Sequence, residues 1–279
     1  MLFSATLWGV FWYPLRVLEE NGLPGLWSTL IIYGAALVVS LPMLWLFRRG
    51  FHAPRLLVLL ALASGWTNVA FILAVIEGNV VRVLLLFYLS PIWTVLLGRL
   101  FLGETLSFLA RLTLGLAMAG AVIMLWDPAA GLPWPRDRAD WLAISSGLAF
   151  AVANVLVRKT QEVSVWVKSL VGWWGVVAVA ALCIVVLSLP MPQVSAGVIG
   201  AAAAIGAIGI VLMTLAVVYG VTHMPVHRSA TILLFELVAG ALSAEWLTDE
   251  VVQPNEWAGG ALIIIAAMVA ARASMKAGR

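Results

Sequence analysis

The chain has 279 residues, of which 63% are hydrophobic and 10% charged, with a formal net charge of +3 and a pI near 9.4. Charge lies about 15 percentage points below that of an ordinary soluble domain, which excludes a soluble globular protein and places the chain in a bilayer. Its basic residues are scattered among short connecting segments, so the pI reflects membrane topology and not nucleic acid.

A helix needs about 20 apolar residues to cross a hydrocarbon core ~30 Å thick. Ten runs of that order follow one another, at residues 1–18, 26–47, 56–76, 81–102, 106–126, 141–157, 165–189, 196–221, 230–247 and 257–271. The runs are long and uniformly apolar, without the roughly ten-residue alternation of outer-membrane strands, and predict an all-α membrane protein of ten transmembrane helices. The first run has no basic leader before it and no small-residue cleavage site after it, and reads as a retained helix. Between the fifth and sixth runs lies "DPAAGLPWPRDRAD", residues 127–140, rich in proline and charge. It is the one linker with turn chemistry, and divides the chain into five-helix halves at 1–126 and 141–279.

With the N-terminus in the cytoplasm, twelve of the sixteen Lys and Arg residues fall inside, among them Arg48, Arg49, Arg158 and Lys168. Only Arg16, Arg82, Arg136 and Arg138 fall outside. Acidic residues lean the other way: Glu19, Glu77, Asp137, Asp140 and Glu256 lie outside, and Glu104 and Glu162 inside. The positive-inside bias therefore places both termini in the cytoplasm. Trp27, Trp45, Trp126, Trp134, Trp141, Trp166, Trp246 and Trp257 fall near the expected interfaces, where an amphipathic ring is favoured.

The halves repeat weakly. A shift of 146 residues lays 77–107 over 223–253, matching Arg82 to Arg228 and Glu104 to Glu250, and a shift of 142 pairs Arg16 with Arg158. Because five is odd, equivalent helices must cross in opposite directions. Inverted repeats recur in secondary transporters, with the substrate site near the midplane between the halves.

Residues 88–124, "YLSPIWTVLLGRLFLGETLSFLARLTLGLAMAGAVIM", carry a mid-helix proline, then Leu-Gly-Glu, then a glycine-bearing helix. This stretch resembles EamA-type members of the drug/metabolite transporter superfamily. The second half has "LLFELVAGALSAEWLTDE", where relatives usually have Glu-Pro and Leu-Gly-Glu. Glu236 and Glu250 match, but Leu237 replaces the proline. "LWGVFW" is similar to the family's Trp-Gly element. Within the family the tryptophan-rich sequence looks most like the YddG type of bacterial amino-acid exporter. That resemblance implies export of neutral and aromatic amino acids through the bacterial inner membrane.

Individual residues add a site. Pro91 sits mid-span and cannot donate to the Phe87 carbonyl, so it predicts a bend, and a hinge, beside Tyr88, Ser90 and Trp93. The repeat register sets Ser90 opposite Glu236. A charge at mid-membrane costs about 2.5 to 3.5 kcal/mol on insertion scales and is usually used or paired. Glu236 has three candidate roles: proton coupling, pairing with a substrate ammonium, or hydrogen bonding across helices. Trp12, Trp66, Asn68, Asn154, Trp173 and Tyr219 complete the candidate substrate-binding set. Rings stack on aromatic substrates or attract an ammonium, and amides bind carboxylate or amine. The plainer reading of each is a packing aromatic or an interhelical hydrogen bond. "GVIGAAAAIGAIG", residues 197–209, offers small residues for close helix packing.

No catalytic residue, cofactor or metal is expected. Cys183 is the only cysteine and lies inside the seventh run, and His223 and His227 flank Pro225 in what reads as an inner loop. An intramembrane hydrolase lacks its nucleophile and base, and a phosphate-ester carrier lacks a mid-membrane Lys or Arg. The expected protein is a monomer in the lipid bilayer that takes amino acids as small-molecule substrates. The alternative is an exporter of organic cations.

Overall fold

The computed structural model describes residues 1–46, 53–78, 80–127, 134–248 and 251–277. Arg48, Arg49, positions 128–133 of the linker, Asp249, Glu250 and Arg279 lie outside the described residues, as do the side chains of Trp45, Arg272 and Lys276. Every regular element among the described residues is helical: α1 (Leu2–Val10), α2 (Trp12–Glu20), α3 (Gly25–Leu46), α4 (Pro54–Glu77), α5 (Val80–Phe87), α6 (Ser90–Leu102) and α7 (Phe108–Met124). After the linker come α8 (Arg138–Lys159), α9 (Val165–Val186) and α10 (Ala196–Ala204), which runs through a π-helical segment (Ile205–Ile210) into α11 (Val211–His223). The last elements are α12 (Val226–Leu233), α13 (Phe235–Leu247) and α14 (Pro254–Ala277).

Among the described residues, seven helical segments are long and apolar enough to cross a bilayer: Gly25–Met43, Pro54–Glu77, Arg82–Leu102, Arg138–Lys159, Val165–Val186, Ala196–His223 and Val226–Leu247. Phe108–Met124 and Pro254–Ala270 are apolar but shorter. The first apolar run is divided at Phe11 between α1 and α2. Pro14 accounts for the division, since it has no N–H to give the Val10 carbonyl four residues back.

Two further breaks lie inside apolar segments. Between α5 and α6 the chain turns at Tyr88 and Leu89, and Pro91 leaves the Phe87 carbonyl without its helical donor. That carbonyl abuts Gly147 of α8, where a Cβ would sit 2.6 Å from the oxygen. The freed acceptor therefore faces a helix that has a glycine to receive it. Between α12 and α13 the break falls at Leu234 although no proline is present. Leu237 N–H donates to the Leu234 carbonyl at 3.1 Å, tightening the turn. Gly9 of α1 lies against the Glu236 carbonyl so closely that a Cβ there would collide with it. Tertiary contact supplies here what proline supplies in the first break.

Helix starts follow local chemistry. Ser107, Asp137, Ser164 and Ser195 are N-caps whose side chains accept from N–H groups of the first turn. Helix α4 packs on α8 and α9, α3 on α9 and the π-helical segment, α1 on α13, and α7 on α14. Ala202, Gly206 and Ile210 form the buried stripe that meets α3, and Gly206 rests on the Ile32 carbonyl. Gly200, four residues earlier than Ala204, has open space around it, so only part of the small-residue run is a packing surface.

Candidate functional site

The two breaks inside Arg82–Leu102 and Val226–Leu247 meet. Tyr88, at the end of α5, donates its hydroxyl to Glu236 Oε1 in the first turn of α13 at 2.7 Å. Beside Tyr88 aromatic rings from three helices gather on Phe87. Phe87 meets Phe71 of α4 edge-on at 4.9 Å, Tyr88 at 5.4 Å and Phe150 of α8 at 5.8 Å between centroids. All five residues are half-buried. Ser90, Pro91 and Thr94 are buried on the first turns of α6. The indole N–H of Trp93 and the hydroxyl of Thr94 are buried without a hydrogen-bond partner. Unpaired donors in such a place are costly unless something polar occupies the space beside them. Chemically, the cluster offers a carboxylate on a phenol, with apolar ring faces next to the phenol.

Trp12 reaches the same helix as Glu236. Its indole N–H donates to Ser243 Oγ at 2.9 Å, and Ser243 lies seven residues, two turns, beyond Glu236 on one stripe of α13. Arg16 stands 6.0 Å from the Trp12 ring. The remaining candidates hold other contacts. Asn68 accepts from the Tyr33 hydroxyl at 2.8 Å and donates to the Ser64 carbonyl, joining α3 to α4. Trp66 donates to Ser145 Oγ at 3.1 Å, joining α4 to α8. Trp173 is fully buried and donates to Thr214 Oγ1. Asn154 is buried on α8. Tyr219 is 60% exposed and lies against the His223 ring at 4.2 Å, away from the meeting of the breaks.

Four ionisable residues expected in loops or at the ends of apolar runs are built into the bundle instead. Arg82 and Asp140 form a buried pair, with the Arg82 guanidinium on Asp140 Oδ2 at 2.6 Å and also on the Trp134 carbonyl. Asp140 further accepts the Arg136 N–H at 2.9 Å. The pair ties the start of α5 to the first turn of α8, and removing one partner alone costs about 3 to 5 kcal/mol. Lys168 is also buried. Its ammonium donates to the Thr222 hydroxyl at 2.6 Å and to the Val157 and Thr160 carbonyls, at the C-terminal end of α8 where a cation suits the helix dipole. His227, expected in a solvated loop, is a buried residue of α12 whose Nδ1 lies 3.5 Å from Glu104 Oε2. Glu104 in turn accepts the Val226 N–H at 3.0 Å and pairs with Arg158 at 3.5 Å. The two charged clusters occupy opposite ends of α8. Among the described residues no group of three or more His, Cys, Asp or Glu side chains is placed to hold a metal.

The profile of the EamA-like transporter family matches residues 1–126 and 137–272. The chain belongs to that family. As an EamA-family membrane transporter it passes the bilayer several times, and the described residues are arranged as helices alone. Protein RarD of Salmonella typhi is 32% identical over 139 residues, covering 48% of this chain and 44% of the relative. Protein RarD of Salmonella typhimurium matches to the same extent. The match thus spans less than half the length of these curated relatives. A solved crystal structure superimposes with a TM-score of 0.78, covering 100% of this chain and 97% of that one, at 19% identity, which makes it a likeness of fold. The Leu-Gly-Glu of residues 102–104, which carried the resemblance in sequence, gains a physical role here: Glu104 caps α12 and joins Arg158.

The sequence marked Tyr88, Pro91, Trp93 and Glu236 by polarity and helix chemistry. It had no means of marking Phe71, Phe87 and Phe150, which carry no polar atom and differ in no way from packing residues until the helices assemble.

Proposed function

We propose that this chain is a secondary transporter that exports neutral and aromatic amino acids by alternating access, with its site where the two helix breaks meet. The carrying observation is the Tyr88–Glu236 hydrogen bond, which links a break in each half across the bundle at 2.7 Å. Support comes from the register of those breaks. A shift of 146 residues takes α5 (Val80–Phe87) onto α12 (Val226–Leu233), and the apolar helix Phe108–Met124 onto Pro254–Ala270. We therefore read the chain as ten membrane helices in two inverted five-helix repeats, 1–126 and 141–279, joined by the linker. The first break has no counterpart: α1 and α2 divide at Phe11, whereas α8 runs unbroken.

An amino acid suits the chemistry of the meeting point. Its ammonium would face Glu236, its side chain the Phe71, Phe87 and Phe150 rings, and its carboxylate the unpaired Trp93 and Thr94 donors. An organic cation would use the carboxylate and rings and leave the unpaired donors unused, which favours the zwitterion. The basic split in the sequence and the bacterial relatives support a protein of the bacterial inner membrane with cytoplasmic termini.

Counterflow in proteoliposomes separates the two substrate classes. Vesicles preloaded with unlabelled phenylalanine, leucine or a lipophilic cation are given the labelled compound. Accumulation is expected for the amino acids. Accumulation of the cation with none of either amino acid would replace this reading by the export of organic cations.

A further inference from the structure

We propose that the groove between α7, α12 and α14 binds the phosphate headgroup of an anionic phospholipid. Helices α7 and α14 pack most closely where Gly120 meets Gly259, and a Cβ on either glycine would run into the other helix's backbone. That crossing lies near the end of α7 and the start of α14. Toward the other end α12 stands beside both helices, and a groove remains, lined by Ser107, Leu109, His227, Arg228, Thr231 and Val269.

The wall contributed by α12 is polar and carries an uncompensated charge. Arg228 is half-buried, and among the described residues its guanidinium makes no hydrogen bond or ion pair. Beside it His227 is buried, its Nδ1 3.5 Å from Glu104 Oε2 and without a hydrogen bond. Glu104 is the acidic group facing His227, and its charge is already met by Arg158 and the Val226 N–H. Among the described residues Arg228 has no such counter-ion. The α7 wall adds the start of a 17-residue helix. Ser107 Oγ accepts the Ala110 N–H at 3.2 Å, and the earlier N–H groups of that turn remain available to an anion.

The flanks of the groove point to lipid as the source of the anion. Phe108, Leu109 and Leu112 on α7 and Met268 on α14 are exposed apolar side chains, so the groove opens toward hydrocarbon on those sides. A phosphate diester can place its oxygens on Arg228 and the α7 N-terminus while its acyl chains lie along Leu109 and Val269. Basic pockets between membrane helices take anionic headgroups in this manner. A zwitterionic headgroup would bring its own cation toward Arg228 and gain less.

Native mass spectrometry of the full chain in detergent, titrated with phosphatidylglycerol or phosphatidylcholine, tests the assignment. Phosphatidylglycerol is expected to bind in preference, and Arg228→Gln to weaken that binding about fivefold, as one basic residue contributes. Arg99→Gln removes an exposed arginine at the same end of the bundle, outside the groove, and is expected to leave binding unchanged. Inorganic phosphate is expected not to displace the lipid. Equal loss in Arg99→Gln, equal binding of the two lipids by wild type, or displacement by inorganic phosphate would each overturn the assignment. The lipid comparison and phosphate competition use the wild-type chain, so they decide even if a variant misfolds.

Discussion

Glu236 has the Tyr88 hydroxyl as its hydrogen-bond donor, inside a segment apolar enough to cross a bilayer. Tyr88 donates whether the partner is a carboxylate or an amide oxygen, so the contact alone does not require a charge at position 236. Glu236→Gln keeps the acceptor and the shape but cannot titrate. We expect it to reduce transport in proteoliposomes and to flatten the dependence of transport on pH, with folded yield close to wild type. If Gln transports with the wild-type pH profile and only Glu236→Ala fails, the carboxyl is an interhelical tie. Both partners were individually visible in the sequence, Glu236 as a carboxylate in an apolar run and Tyr88 as a polar ring beside a helix-breaking proline. Their contact was not, because 148 residues separate them. Tyr219 shows the reverse: a tyrosine in an apolar run, it faces outward against His223. A hydroxyl in a hydrophobic segment says that a partner is needed, and only packing says where the partner is.

At the scale of elements, proline explains two breaks and fails to explain the third. Pro14 and Pro91 each remove one helical hydrogen bond, and the chain divides at Phe11 and at Tyr88–Leu89. The division at Leu234 has no proline and rests on the Gly9 contact and the Glu236–Tyr88 bond. Pro91→Ala restores a donor for the Phe87 carbonyl and removes little packing. If the α5–α6 break moves during the cycle, this variant folds in normal yield and transports more slowly, its lower turnover read in the counterflow assay. Unchanged turnover would make the proline a packing feature that fits the Phe87 carbonyl against Gly147. The charges at the helix ends teach a related lesson. Arg82, Asp140 and Lys168 lie close enough to run boundaries to pass for loop residues, yet each is buried with defined partners. Position along a hydropathy profile sets the depth of a residue and leaves its direction open.

For the whole molecule, the basic split predicts an orientation that labelling can measure. Single cysteines at Glu19 and Asp137 should react with an impermeant maleimide in intact cells, and one at Glu162 should react only after permeabilisation. Glu162 is an exposed residue beyond the end of α8, whereas Lys168, equally inner by its place in the sequence, is buried and unsuited to the assay. The opposite labelling pattern would overturn both the orientation and the inverted-repeat reading. By itself the sequence determined that the chain lives in a bilayer, that its apolar runs are helical, and where the mid-helix proline and the intramembrane carboxylate fall. Those properties follow from composition, hydrophobic length and one-residue backbone chemistry, all of which are local. The tertiary structure alone decided that the two breaks touch, that α12 and α13 divide without a proline, that phenylalanines from three helices gather at Phe87 beside Tyr88, and that Arg82 belongs to Asp140. Such pairings depend on which faces of distant helices come together, and a uniformly apolar helix carries almost no periodic signal of which face that is.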